Sequence, residues 1–170
     1  RSLISFAAFI AYFPQLVAGP IARSENLLPQ VKVKRVPSQD EIDSGVRLII
    51  WGVFKKVVIA DQLTQFVDPV YATPGTFSGV VLLIATVAFA IQIYCDFSGY
   101  TDIAIGIARL MGINLVTNFN RPYMATTIQD FWRRWHISLS TWFRDYLYKP
   151  MGGNRFGFLA TIRNLMIVFV

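Results

Sequence analysis

Cysteine and histidine are almost missing from this chain, with one of each, Cys95 and His136, in 170 residues. That scarcity excludes an internal disulfide and any multi-cysteine metal site, and it leaves a zinc ion without a ligand set, so no metal is expected. Charge is thin as well: 15% of residues are Asp, Glu, Lys or Arg, where soluble domains carry roughly a quarter. With 54% hydrophobic residues and 15% aromatics, such a deficit points to a chain whose solvent is partly lipid. An initiator methionine and a secretory-signal pattern are lacking at Arg1, and Phe169-Val170 falls inside an apolar run that has only begun. The expectation is an internal fragment, 1–170, of one membrane domain, cut at both ends. The net charge of +6 comes from basic residues flanking apolar segments, as on the cytoplasmic side of membrane proteins. Solvated loops account for it, and a nucleic-acid partner is not expected.

Apolar segments are what the chain does have. Residues 3–19 are apolar and break at Pro14-Gln15, the mark of a kinked or ending membrane helix. Residues 18–34 read as a loop with Pro20 and Pro29. Ser38 with Glu41 three residues on forms a capping box and starts a helix expected to reach about Gln65. Lys55-Lys56 interrupts its apolar part, and lysines are costly in lipid, so they should face protein or water or snorkel at an interface. Residues 61–77, with Pro69 and Pro74, read as a loop. Gly79–Cys95 is the cleanest spanning segment. The polar string Asp96–Asp102 is expected to interrupt it before a short second helix, re-entrant or packed in protein. Arg109 in the last turn and Gly112 just beyond mark that helix's end. Residues 114–127 form a polar loop, Thr127 with Asp130 opens the next helix, and Met151–Asn154 is a turn before a membrane segment from Phe158. The acidic 61–77 loop suits the outside, and the basic Arg23–Arg35 and Arg121–Arg155 regions suit the cytoplasm. The fold expected is all-α, a multi-span helical membrane protein with short, re-entrant and interfacial helices.

The helix expected over Ile128–Leu147 carries the histidine. Ile128, Phe131, Trp135, Leu139, Trp142 and Tyr146 recur at spacings of three and four, one aromatic stripe that lies along the interface or against neighbouring spans. His136 falls one step around, next to Trp132 and Ser140 by helical spacing. Such a histidine either satisfies a buried hydrogen bond or accepts protons with a tunable pKa, and periodicity does not choose. Asp96 is equally open between structural and functional roles. Asp102 favours the dipole of a following helix. Cys95 lacks an activating base and reads as a small apolar residue.

Several strings resemble motifs of one family. They are Tyr12-Phe13-Pro14-Gln15-Leu16-Val17-Ala18-Gly19-Pro20-Ile21-Ala22-Arg23, Trp51–Asp61, Gln92-Ile93-Tyr94-Cys95-Asp96-Phe97-Ser98-Gly99-Tyr100-Thr101-Asp102 and Asn118-Phe119-Asn120-Arg121-Pro122-Tyr123. The most specific is Phe131-Trp132-Arg133-Arg134-Trp135-His136-Ile137-Ser138-Leu139-Ser140-Thr141-Trp142. In this order, over nearly the whole chain, they resemble the membrane-bound O-acyltransferase family, closest to its alginate O-acetyltransferase branch. The resemblance implies a multi-pass enzyme of the bacterial inner membrane, with a tunnel through which an acyl group, acetyl in this branch, moves from a thioester donor to polysaccharide hydroxyls. That donor, acetyl-CoA or an acyl carrier, is a co-substrate, and no bound cofactor is implied. The bilayer and polysaccharide-acetylation proteins are the implied partners. His136 matches the first of two recurrent family histidines. The second, the principal base, is expected beyond Val170, which would leave the fragment inactive alone. His136 then lines the tunnel as donor or supporting base, with Trp132 and Trp135 shaping it. Arg133 and Arg134 meet donor phosphates or anchor the helix, and Asp96, Asn120 and Arg121 complete the candidates.

Three rivals follow from the same residues. D-alanyl transfer to teichoic acid is the nearest within the enzyme class. A transporter segment also uses re-entrant helices and intramembrane carboxylates, and a non-catalytic scaffold could dock a partner on the basic 121–155 region.

Overall fold

A computed structural model describes residues 2–16 and 18–169. Val17, within the first motif, and Arg1 and Val170, at the expected cuts, lie outside the described residues. No strand occurs among the described residues, and most of them are helical, which agrees with the all-α expectation. The chain divides into two compact units, Arg1–Leu115 and Val116–Val170.

The first unit is built on two long helical runs. Ser38 starts one as expected: its hydroxyl accepts from Glu41 N–H at 3.3 Å while its own N–H donates to the Glu41 carboxylate at 2.8 Å. From this box α3 (Gln39–Val53) leads into a π-helical segment (Phe54–Ala60) and α4 (Asp61–Ala72). The run thus passes Gln65 and occupies most of the expected 61–77 loop, so the outside loop inferred from its acidity shrinks to a turn around Pro74. Pro69 is tolerated because the carbonyl it leaves without an intrahelical donor is on the exposed Gln65.

The second run, α5 (Gly79–Leu110), is unbroken over 32 residues, about 48 Å at helical rise. The expected interruption at 96–102 and the re-entrant second helix are both absent. Asp96, Ser98 and Asp102 there are met by Lys55 and Lys56 on the neighbouring run, which a reading of local hydropathy does not register. Among the described residues α5 is the one helix long and apolar enough to cross a membrane. Val80, Leu83, Ile84 and Val87 are each more than half exposed on it. Its end follows the expected pattern: Gly112, at φ +70°, lets Ile113 N–H reach the Ala108 carbonyl and Gly112 N–H the Arg109 carbonyl, each at 2.9 Å.

Glycines set how closely α3 and α5 approach. A Cβ on Gly52 would stand 2.5 Å from the Gly99 carbonyl, and one on Gly106 would stand 2.6 Å from the Gly45 carbonyl. The pairs 52/99 and 45/106 are seven residues apart on each helix, so an antiparallel register keeps backbone against backbone over two turns. Toward the other end Gln92 donates to the Thr64 hydroxyl at 2.9 Å, and Tyr71 packs edge-on to Phe89.

Of two short elements in the N-terminal part, the first bears out the expected break and the second corrects the expected loop. α1 (Leu3–Ile10) stops before a 3₁₀ turn at Phe13–Gln15, as Pro14 demands. Residues Ser24–Lys32, expected as loop, form α2. Leu27 on α2 is 1% exposed and packs with Tyr12, Ala108 and Ile113. That tertiary burial outweighs Pro29, whose missing N–H again faces an exposed carbonyl, on Glu25.

The second unit holds α6 (Ile128–Arg134), α7 (Ile137–Phe143), a π-helical segment (Arg144–Tyr148) and α8 (Phe158–Phe169). Thr127 caps α6 as expected, accepting from Asp130 N–H at 3.0 Å. The expected turn after Met151 is fixed by Asn164, fully buried on α8, whose amide donates to the carbonyls of Met151 and Gly153 at 3.2 and 2.8 Å.

Candidate functional site

The single helix expected over Ile128–Leu147 is two helices with a break at Trp135-His136. In a continuous helix Ile137 and Ser138 would donate to the carbonyls of Arg133 and Arg134. Instead, Ile137 N–H donates to the Asn118 carbonyl at 2.9 Å, Ser138 N–H donates to Asn118 Oδ1 at 3.1 Å, and the Arg134 carbonyl accepts from Asn120 N–H at 3.0 Å. The 118–120 segment has taken over the hydrogen bonds of one helical turn. Local periodicity carries no sign of this, because the competing groups lie 14 to 20 residues earlier in the chain.

His136 sits in the break at φ 43°, ψ 55°. A left-handed backbone is uncommon for a residue with a Cβ, and of the described non-glycine residues Arg121 alone shares it. Such a conformation survives only where surrounding bonds over-determine it, and such residues cluster at functional sites. The His136 carbonyl accepts from Ser140 N–H at 3.0 Å, and the Ser140 hydroxyl donates to the Trp135 carbonyl at 3.3 Å. Ser140 is thus close to His136, as expected, though through the first turn of α7 instead of through one long helix. The imidazole is partly buried, and that burial lowers its pKa from the ordinary 6.5. A neutral ring can accept a proton or, from its other nitrogen, donate a hydrogen bond.

The aromatic stripe divides with the helix. Phe131 stacks on Trp135 at 5.5 Å and 17°, Phe119 meets Trp135 edge-on at 5.0 Å, and Tyr123 stacks on Phe131 at 6.3 Å. Trp142 and Tyr146 form a separate group, 5.3 Å apart. The first group is a wall immediately before His136. Beside it an open hollow is lined by Pro122, Tyr123, Thr126, Thr127, Ile128 and Phe131.

Seven of the expected site residues thus belong to the second unit. Trp135 and Asn120 build the break and its wall, with His136 at the centre. Trp132 meets Phe131 of the wall edge-on at 5.4 Å and Phe169 at 5.2 Å. Arg134 pairs with Asp130 at 2.9 Å, while Arg133 and Arg121 are exposed. Arg121 opens the short 3₁₀ turn Pro122–Met124.

Asp96, in the first unit, is ion-paired with Lys56 at 2.6 Å, and Lys56 also meets Asp61 at 2.8 Å. Beside this pair, Lys55 is 6% exposed and reaches Asp102 at 2.8 Å and the Ser98 hydroxyl at 2.9 Å. Lys55 therefore faces protein, while Lys56, its side chain 43% exposed, is held at the surface by its two carboxylates. Asp102 lies well inside α5, so it does not serve the first turn of a helix. Sequence reasoning weighed the two lysines together but apart from the two aspartates. The signal that could have joined them is the pairing of adjacent lysines on one long helix with two carboxylates six apart on the next. Cys95 is buried in this helix pair, consistent with a small apolar role.

A model for MBOAT, the membrane-bound O-acyltransferase family, matches residues 1–170. The chain belongs to that family. It is 46% identical over 170 residues to "Probable alginate O-acetylase AlgI" of Pseudomonas fluorescens, covering all of this chain and 34% of that protein. It is 44% identical over 169 residues to the peptidoglycan O-acetyltransferase of Helicobacter pylori, covering 98% of this chain and 32% of the relative. The teichoic acid D-alanyltransferase of Bacillus subtilis is more distant, 32% identical over 168 residues, with 94% and 41% covered. The chain spans about a third of the length of the first two relatives. The length and apolar surface of α5, enough to cross a membrane, accord with membership in a membrane-bound family.

Proposed function

We propose that this chain is part of a multi-pass O-acyltransferase of the bacterial inner membrane, which moves an acetyl group from a thioester to hydroxyls of an exported polysaccharide such as alginate. Family membership over every residue supports the acyl-transfer class. The wider identity to acetyl-transferring relatives than to the D-alanyl one favours acetyl. The observation that carries the reading is His136, partly buried and left-handed between an aromatic wall and the start of α7.

The chemistry fits those residues. A sugar hydroxyl is a weak nucleophile at neutral pH, and a positioned histidine accelerates its attack by roughly 10²–10⁴-fold. Attack on the thioester carbonyl places negative charge on oxygen, which nearby N–H donors stabilise. In this proposal a second histidine of the family pattern, outside these residues, is the principal base. His136 is the supporting base or donor, and Trp135 with Phe131 shapes the passage. The co-substrate is acetyl-CoA or an acetylated carrier, no bound cofactor is needed, and polysaccharide-acetylation proteins receive or complete the transfer. The test is full-length His136→Ala, purified and folded, assayed for labelled acetyl on polysaccharide. Loss of transfer is expected. A folded variant that transfers acetyl at the wild-type rate overturns the role given to His136.

A further inference from the structure

Asn118 has no assigned part in this site, yet it accepts two hydrogen bonds from the first turn of α7 at the helix break. Its backbone carbonyl accepts from Ile137 N–H and its Oδ1 accepts from Ser138 N–H, at 2.9 and 3.1 Å. These are the first two donors of α7, groups that a helix leaves orphaned unless a cap meets them. The residue in the cap position is His136, whose own side chain makes no capping bond. An N-cap with extended backbone and a short side chain would cap from within the chain. Here the cap comes from a residue 18 positions away, which frees the histidine at the cap position from that duty.

Burial makes the arrangement firm. Asn118 is 0% exposed and Ser138 4%, so the bond from Ser138 N–H to the Asn118 oxygen cannot be exchanged for water. The Asn118 Nδ2 group is also buried and has no hydrogen-bond partner. The bonds of its side chain are thus made by the oxygen alone, at the cost of an unmet donor. A leucine has a similar branched shape and removes that donor, and it would leave Ser138 N–H orphaned.

We infer that Asn118 is the positioning residue of this site: it caps α7 in trans and so holds His136 in its left-handed conformation, aimed for acyl transfer. The inference rests on the proposed function, and it adds that the placement of the imidazole is set from the Asn118–Tyr123 segment. Its loss acts on the rate of the chemical step while substrate binding stays intact, because Asn118 is buried and makes its bonds to backbone.

The test uses full-length enzyme in detergent or liposomes and compares Asn118→Leu with Asn118→Asp. Aspartate keeps the accepting oxygen whether ionised or neutral. Asn118→Leu is expected to lower kcat about 10²-fold, the scale of a displaced catalytic group, with KM for the thioester donor within about twofold. Asn118→Asp is expected to recover most of that kcat. Equal kcat for the two variants overturns the inference, as does wild-type kcat for Asn118→Leu. A third overturning result is a loss for Asn118→Leu that disappears when rates are normalised to folded protein, since a merely structural residue behaves that way. His136→Ala assayed in parallel separates the two claims. Inactive His136→Ala beside fully active Asn118→Leu sinks the positioning role alone, and active His136→Ala sinks the reading of the site itself.

Discussion

Removing the carboxylate of Asp102 should be among the most damaging single changes in the first unit. Lys55 enters the α3–α5 interface with its side chain 7% exposed, and it is met by Asp102 at 2.8 Å and Ser98 at 2.9 Å. In Asp102→Leu the ammonium stays buried with one neutral hydroxyl and the face of Tyr94, 5.9 Å away. Stranding a buried charge in this way costs about 3–5 kcal/mol, a large part of a total stability on the order of 5–15 kcal/mol. Lys55→Met should cost less, because the carboxylate it leaves behind is 23% exposed and closer to water. The double variant Lys55→Met/Asp102→Leu replaces the pair by apolar volume and should return to within about 1–2 kcal/mol of wild type. The assay is the denaturant midpoint of the solubilised full-length protein for all four members of the cycle. If Lys55→Met costs the same whether or not Asp102 is present, the two groups are not coupled and the argument fails.

Other outcomes follow from single contacts. Gly52→Ala puts a methyl 2.5 Å from the Gly99 carbonyl, where backbone and not a flexible side chain must yield. It should cost about 1–3 kcal/mol by overpacking, while Gly75→Ala, in open space, leaves the unfolding midpoint unchanged. Ser38→Ala removes the capping box and should lower stability by about 1 kcal/mol, measurable as earlier amide exchange at the start of α3. Asparagine tolerates left-handed backbone and valine does not, so His136→Asn should fold like wild type and His136→Val should lose about 1–3 kcal/mol. Burial lowers the His136 pKa, so below about pH 6.5 the unfolded chain takes up a proton that the folded one resists. Stability from this group is therefore full above that pH and declines as pH falls. His136→Asn should flatten the decline in a midpoint-versus-pH series, and an unchanged slope would count against a buried neutral ring.

Composition and local chemistry determined a good deal by themselves. The shortage of charge marks a membrane chain, Ser38 with Glu41 starts α3, Gly112 ends α5 and Thr127 opens α6, because caps and left-handed glycines act within four residues of themselves. Family strings singled out His136, Asn120 and Trp135 by residue type. The tertiary structure decided what distance along the chain conceals. Asp96 and Asp102 do not break α5, because Lys55 and Lys56, some 40 residues earlier, neutralise them. Pro29 does not prevent α2, because Leu27 is buried. The aromatic stripe of Ile128–Leu147 is continuous in sequence and broken in space, because Asn118 and Asn120 offer the backbone better partners than its own next turn. A hydrogen bond between distant residues leaves no trace in periodicity, and here such bonds place the histidine.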